Sequence, residues 1–126
     1  MGRYLAIDFD GVIHSYTSRY TYPEVIPDPP VDGAFEFLRD AAKKFTLVIF
    51  TSRCVDFRAR KAIIEWFLHH GLEKSLVDEL EITKEKPPCD LYIDDRAFTF
   101  QGEFPTIDFV ENFRPWNQQH RESEKQ

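Results

Sequence analysis

The sequence predicts a doubly wound α/β fold: a parallel sheet between helical layers. Two observations point there. Hydrophobic periodicity alternates along the chain between short strand-like runs and helix-like stripes, the pattern of a layered α/β domain. In addition, two of the apolar runs, Tyr4-Leu5-Ala6-Ile7 and Leu91-Tyr92-Ile93, close on acids, Asp8 with Asp10 and Asp94 with Asp95. Two strands therefore deliver carboxylates to one sheet edge, the edge where ligands bind in open parallel sheets.

The elements follow in order. Tyr4 to Ile7 is the first strand, and Gly11 turns the chain after it. Val12 to Pro30 is a flap, broken by Pro27, Pro29 and Pro30 before Asp32, a candidate N-cap. Ala34, Phe37, Leu38, Ala41 and Phe45 then recur at helical spacing until a strand over Thr46 to Phe50. A second helix opens at Asp56, buries Ile63, Trp66 and Phe67, and stops at Gly71, which suits the left-handed residue after a helix. Leu80 to Thr83 is a third strand, Leu91 to Ile93 a fourth, and Thr106 to Val110 a fifth before Pro115. The chain reads as one domain over residues 1–118, and the polar, aperiodic stretch 119–126 as a disordered tail.

Composition sets outer bounds. A chain of 126 residues, 42% hydrophobic and 30% charged, has room for one ordered core, to which twelve Phe contribute. The net charge of −6 offers no basic stripe for a nucleic-acid backbone. Arg53, Arg58, Arg60 and Lys61 form a local basic cluster, either facing an anion or lying on a solvated helix face. Cys54 and Cys89 fall in no metal or redox pattern, which fits a reduced, cytoplasmic protein. No apolar run approaches transmembrane length, so no membrane role is expected.

Clustered carboxylates need a partner. Two of them about 4 Å apart repel by about 4 kcal/mol at an effective dielectric near 20, so three or four must bind a cation or retain protons. Oxygen ligands without nearby His or Cys favour a hard ion, magnesium before zinc. His14, Tyr16, Tyr20 and Tyr22 in the flap are candidates for substrate contact, or else the tyrosines pack the flap and His14 is a partly exposed surface residue.

Taken together, Asp8-Phe9-Asp10-Gly11-Val12, Val48-Ile49-Phe50-Thr51-Ser52-Arg53, Lys86 and Tyr92-Ile93-Asp94-Asp95 resemble the four ordered motifs of the haloacid dehalogenase (HAD) superfamily of phosphohydrolases. The likeness spans about residues 3 to 110, and Lys86-Pro87-Pro88 running into Asp90 to Ala97 resembles a subgroup of small bacterial and phage members. It implies a three-layer, Rossmann-like sheet of order 5-4-1-2-3. Val12 to Pro30 would hold a tight helical turn and a small hairpin, with no room for a large cap. It also implies a phosphomonoester hydrolase with Asp8 as the nucleophile that becomes an aspartyl-phosphate and Asp10 as general acid and base. Magnesium would sit among Asp8, the Asp10 carbonyl and Asp94, with Asp95 orienting Lys86 or holding a metal-bound water. Thr51 would bind the phosphoryl group, with Ser52 and Arg53 beside it, and Lys86 would neutralise charge; Lys84 is the alternative lysine. The implied substrate is a nucleotide, a nucleic-acid end, a phosphoprotein or a sugar phosphate, and an oligomeric neighbour could cover the open site.

Rival readings use the same inventory. A receiver domain shares the acids, Thr/Ser and Lys, but its acid pair follows the first strand and its phosphorylated Asp the third, whereas here Thr51 ends the middle motif and Asp94-Asp95 comes last. A phosphotransferase or mutase would employ the same residues, and a non-catalytic HAD-fold binding module would not need all of them.

Overall fold

The computed structural model describes residues 3–118, and the expected tail at 119–126 lies outside them. Four strands, β1 (Tyr4–Asp8), β2 (Thr46–Phe50), β3 (Glu81–Thr83) and β4 (Leu91–Ile93), form one all-parallel sheet of order β3-β2-β1-β4. The architecture is α/β and consistent with a Rossmann-like fold. Buried parallel strands read as continuous apolar runs because both faces are covered. Accordingly, Leu5 and Ile7 of β1 join one core cluster and Ala6 joins another.

Three helices pack on the Leu5/Ile7 face: α1 (Ala34–Ala41) through Leu38, α2 (Phe57–His69) through Ile63, Trp66 and Phe67, and α3 (Lys74–Glu79) through Leu76 and Val77. Connection handedness explains the shared face. The steps from β1 to β2 and from β2 to β3 run in the same direction across the sheet, and right-handed crossovers then put their helices on one side. Returning from β3 to β4 reverses direction, but only residues 84–90 make that link, too few for a helix. The opposite face holds a small cluster of Ala6, Val48 and Phe50, with Cys89 packed against it. No helical residue belongs to that cluster, so among the described residues no helix builds the expected third layer there.

Several boundaries shift. Asp56 caps α2 as expected, its carboxylate accepting Ala59 N–H at 2.9 Å, and Gly71 takes φ 98° just past the helix. In α1 the N-cap is Gly33 rather than Asp32, and the helix ends at Ala41, before Phe45. Helix α3 was not expected. The fifth strand over Thr106 to Val110 is replaced by α4 (Ile107–Asn112). Thr106 caps it, Oγ1 accepting Phe109 N–H at 3.1 Å, and Asp108 stands in its first turn, where the helix dipole favours an acid. A short 3-10 turn, Trp116–Gln118, follows.

The tight turn after β1 is present, with the Phe9 carbonyl accepting N–H groups of Val12, Ile13 and His14. The small hairpin is not. Residues 13–15 and 29–31 only pinch the flap's base, through Ser15 N–H to Pro29 O and Val31 N–H to Ile13 O. Four prolines at 23, 27, 29 and 30 lack the donors that a longer ladder would need.

Candidate active site

Strand register builds the site. Ile7 pairs with Ile93 and Asp8 with Phe50, so Asp94 lies level with Asp8, and Thr51 follows directly on β2. The reversal of strand order falls between β1 and β4, and the acids sit at the carboxyl ends of those two strands, where open sheets leave a crevice.

Asp8, Asp94 and Asp95 each offer an oxygen, all within 4.8 Å of one another. Asp8 Oδ1 accepts the N–H of Phe9 at 2.9 Å, and Asp94 Oδ1 accepts that of Arg96 at 2.9 Å. Burial, the hydrogen bond with Asp95 and the charges of Asp94 and Asp95 push Asp8 up to about 8, against the smaller opposing effect of the Phe9 N–H. Burial also raises Asp95. Asp95 Oδ1 is buried without a hydrogen-bond partner. Three crowded oxygen donors, one of them orphaned, fit a hard divalent cation. Gly11 makes this crowding feasible: a Cβ there would fall 2.2 Å from Asp95 Oδ2, and its φ of 85° already suits only glycine.

Lys86 Nζ lies 3.8 Å from Asp94 Oδ2 and above the rings of Tyr92 and Phe50, at 4.5 and 5.4 Å from their centroids. Those rings steer the ammonium toward the acids by attraction to their π faces. Lys84 is exposed. Thr51 is buried, and its Oγ1 accepts the Arg53 N–H at 3.1 Å, which leaves the hydroxyl proton available to a ligand oxygen. Ser52 is exposed.

Asp10 and Arg53 are placed differently from the rest. The Asp10 carboxylate turns away from the three-acid cluster to meet Arg53 Nε at 2.7 and 3.0 Å and His14 Nδ1 at 2.8 Å. Arg53 is 2% exposed, and its Nη1 donates to the carbonyls of Tyr22, Pro23 and Val25. Its guanidinium thus holds the flap to Asp10 instead of forming part of a surface cluster. Arg58 and Lys61 are exposed, Arg58 within 3.9 Å of Glu24 and Lys61 within 4.0 Å of Glu65, while Arg60 donates to the Ile82 carbonyl. His14 is neither a surface residue nor an open contact: it is fully buried, and its Nε2 accepts the Asp28 N–H at 3.1 Å. Tyr20 and Tyr22 are exposed on the flap, and Tyr16, at φ 57°, is angled beside His14.

Sequence reasoning missed the supports. Trp66 Nε1 donates to the Asp28 carbonyl at 2.9 Å, and Trp116 Nε1 to the Gly11 carbonyl at 2.7 Å. Buried Asn117 donates to the carbonyls of Ser15 and Tyr16 at 3.3 Å each. These contacts span 38 to 105 positions, so local pattern carries no signal for them. In comparisons with known proteins, no family profile, curated protein or solved structure matches the chain.

Proposed function

We infer that this chain is a magnesium-dependent phosphomonoester hydrolase of the HAD type, working through an aspartyl-phosphate on Asp8. The observation that carries the reading is the convergence of Asp8, Asp94 and Asp95 within 4.8 Å at the switch in strand order, with Thr51 and Lys86 on the same edge. The strand order also agrees with a 5-4-1-2-3 sheet lacking its fifth member.

Magnesium held by Asp8, Asp94 and Asp95 would neutralise charge on the phosphoryl oxygens, the principal demand of phosphoryl transfer. Lys86 adds a second positive charge, and the Thr51 hydroxyl donates to one phosphoryl oxygen. A carboxylate oxygen of Asp8 attacks phosphorus while the bond from phosphorus to the leaving oxygen breaks. Asp10 leaves its contacts with Arg53 and His14, takes up a proton from solvent and gives it to that oxygen. Water then attacks the phosphorus of the acyl phosphate, returns a proton to Asp10, and releases inorganic phosphate with Asp8 restored.

Phosphate release from a panel of nucleotides, sugar phosphates, phosphopeptides and phosphorylated oligonucleotides tests the reading. Release should require magnesium and stop with chelator. Release that persists after exhaustive chelation, or none from any member of the panel, would overturn it.

A further inference from the structure

Between Asp95 and Trp116 the chain leaves the sheet as an arm whose two ends both meet Gly11, through the Asp95 carboxylate packed on it and the Trp116 hydrogen bond to its carbonyl. Along this arm Phe98, Phe100, Phe104, Ile107, Phe109 and Val110 are all exposed, Phe104 by 82%, and no residue of α4 is buried. The aromatic rings contact one another, Phe98 with Phe109 at 5.8 Å and Phe100 with Phe104 at 4.8 Å. A second unfilled apolar surface lies on the body of the molecule. Two hollows of about 260 and 480 Å³, sharing Phe37 and Ile93, run between α1 and β4 and are lined by Val12, Leu5, Phe45 and Leu91 among others. Strand β4 flanks them and pairs only with β1 among the described residues.

The geometry points to a reciprocal homodimer in which the arm of each chain seats in the α1/β4 groove of the other. Area favours it. The exposed arm side chains amount to roughly 700 Å² of apolar surface, close to the roughly 800 Å² that one partner contributes to a standard interface, before the groove is counted. Charge argues against nucleic acid and anionic lipid as the occupant. The arm's Arg96 and Arg114 are outnumbered by Glu103, Asp108 and Glu111 on a chain of net charge −6, a poor match to nucleic acid or an anionic membrane surface. A second copy carries the same apolar groove, and a two-fold axis lets both contacts form at once. The upper hollow is lined by Val12 and Ile93, which adjoin Gly11 and Asp94, so the seated arm borders the candidate site.

Sedimentation analysis of the full chain at micromolar concentration tests this. The wild type should be a dimer. F104D with I107D in the arm, and separately F37D in the groove, should each be monomeric with a cooperative thermal transition retained. Should the paired arm variant fail to fold, V110K replaces it. F57D, at a residue 79% exposed outside both surfaces, should remain dimeric. A monomeric wild type overturns the proposal, as does a monomeric F57D. Dimeric F37D would show that the arm does not use the groove and overturns it too.

Discussion

Asp8 bears the strongest electrostatic conflict in the molecule, and the conflict has a sign that can be measured. With Asp8 raised to about 8 by burial and its acidic neighbours, against about 4 in an unfolded chain, the native state keeps a proton that the unfolded state has released. Stability without a divalent cation should therefore fall as pH rises from about 4 to about 8. Asp8→Asn removes the titration, so its unfolding free energy should exceed that of the wild type at the alkaline end, by on the order of 2 kcal/mol after allowance for solvent screening and sharing of the proton with Asp95. Parallel pH profiles for the two proteins would contradict the burial argument. Gly11 provides a second test at this scale. Gly11→Ala drives a methyl group into Asp95 and strains φ, so it should cost about 2 kcal/mol in urea unfolding and weaken magnesium binding by calorimetry. The acids and Gly11 were legible because they follow strand ends in adjacent sequence. His14 was not, since two of the groups that meet it, the Asp28 N–H and the Trp66 ring, lie fourteen and 52 positions away.

Among the elements, the Tyr22 to Val25 stretch of the flap is tied to Asp10 through Arg53. Removing Arg53 takes the guanidinium from Asp10, which keeps its contact with His14, and from three carbonyls of the flap, and lysine cannot reproduce a planar fork that serves both sides. Arg53→Lys should accordingly lose about 3 kcal/mol in denaturant unfolding; an unchanged midpoint would show that the flap is held by other means. If Asp10 leaves this contact to protonate the leaving group, Asp10→Asn should slow sugar phosphates far more than activated aryl phosphates, which need little proton assistance. Equal losses on both would assign Asp10 a purely structural role. Strands β1, β2 and β4 could be read from their apolar runs, and α2 from Asp56 and Gly71, because each signal is local. Helix α4 could not, since Ile107, Phe109 and Val110 fit either period, and the Thr106 cap with Asp108 decides for helix. The helical layer that the second face lacks among the described residues escaped the reading for another reason: crossover direction decides which face a helix covers, and the only returning link, residues 84–90, is too short for one.

At the level of the whole molecule, sheet topology is what makes one site from distant segments. Register alone brings Asp8 and Asp94 level across 86 positions of sequence, and the ordered motifs allowed that meeting to be anticipated, while the arm's two returns to Gly11 could not be. A cation that binds only the folded cluster stabilises it by mass action, so magnesium should raise the melting temperature of the wild type and leave that of Asp8→Asn nearly unchanged in scanning calorimetry. Equal shifts would place the ion elsewhere. The proposed activity turns on a covalent phosphate at Asp8, and trapping that state tests it. The protein is incubated with a phosphomonoester from the panel, quenched, reduced with borohydride, which converts an aspartyl-phosphate to homoserine, and mapped by mass spectrometry. Homoserine is expected at position 8 in the wild type and none in Asp8→Asn, which should release no phosphate. Steady phosphate release with Asp8 unmodified, or undiminished release by Asp8→Asn, would contradict it.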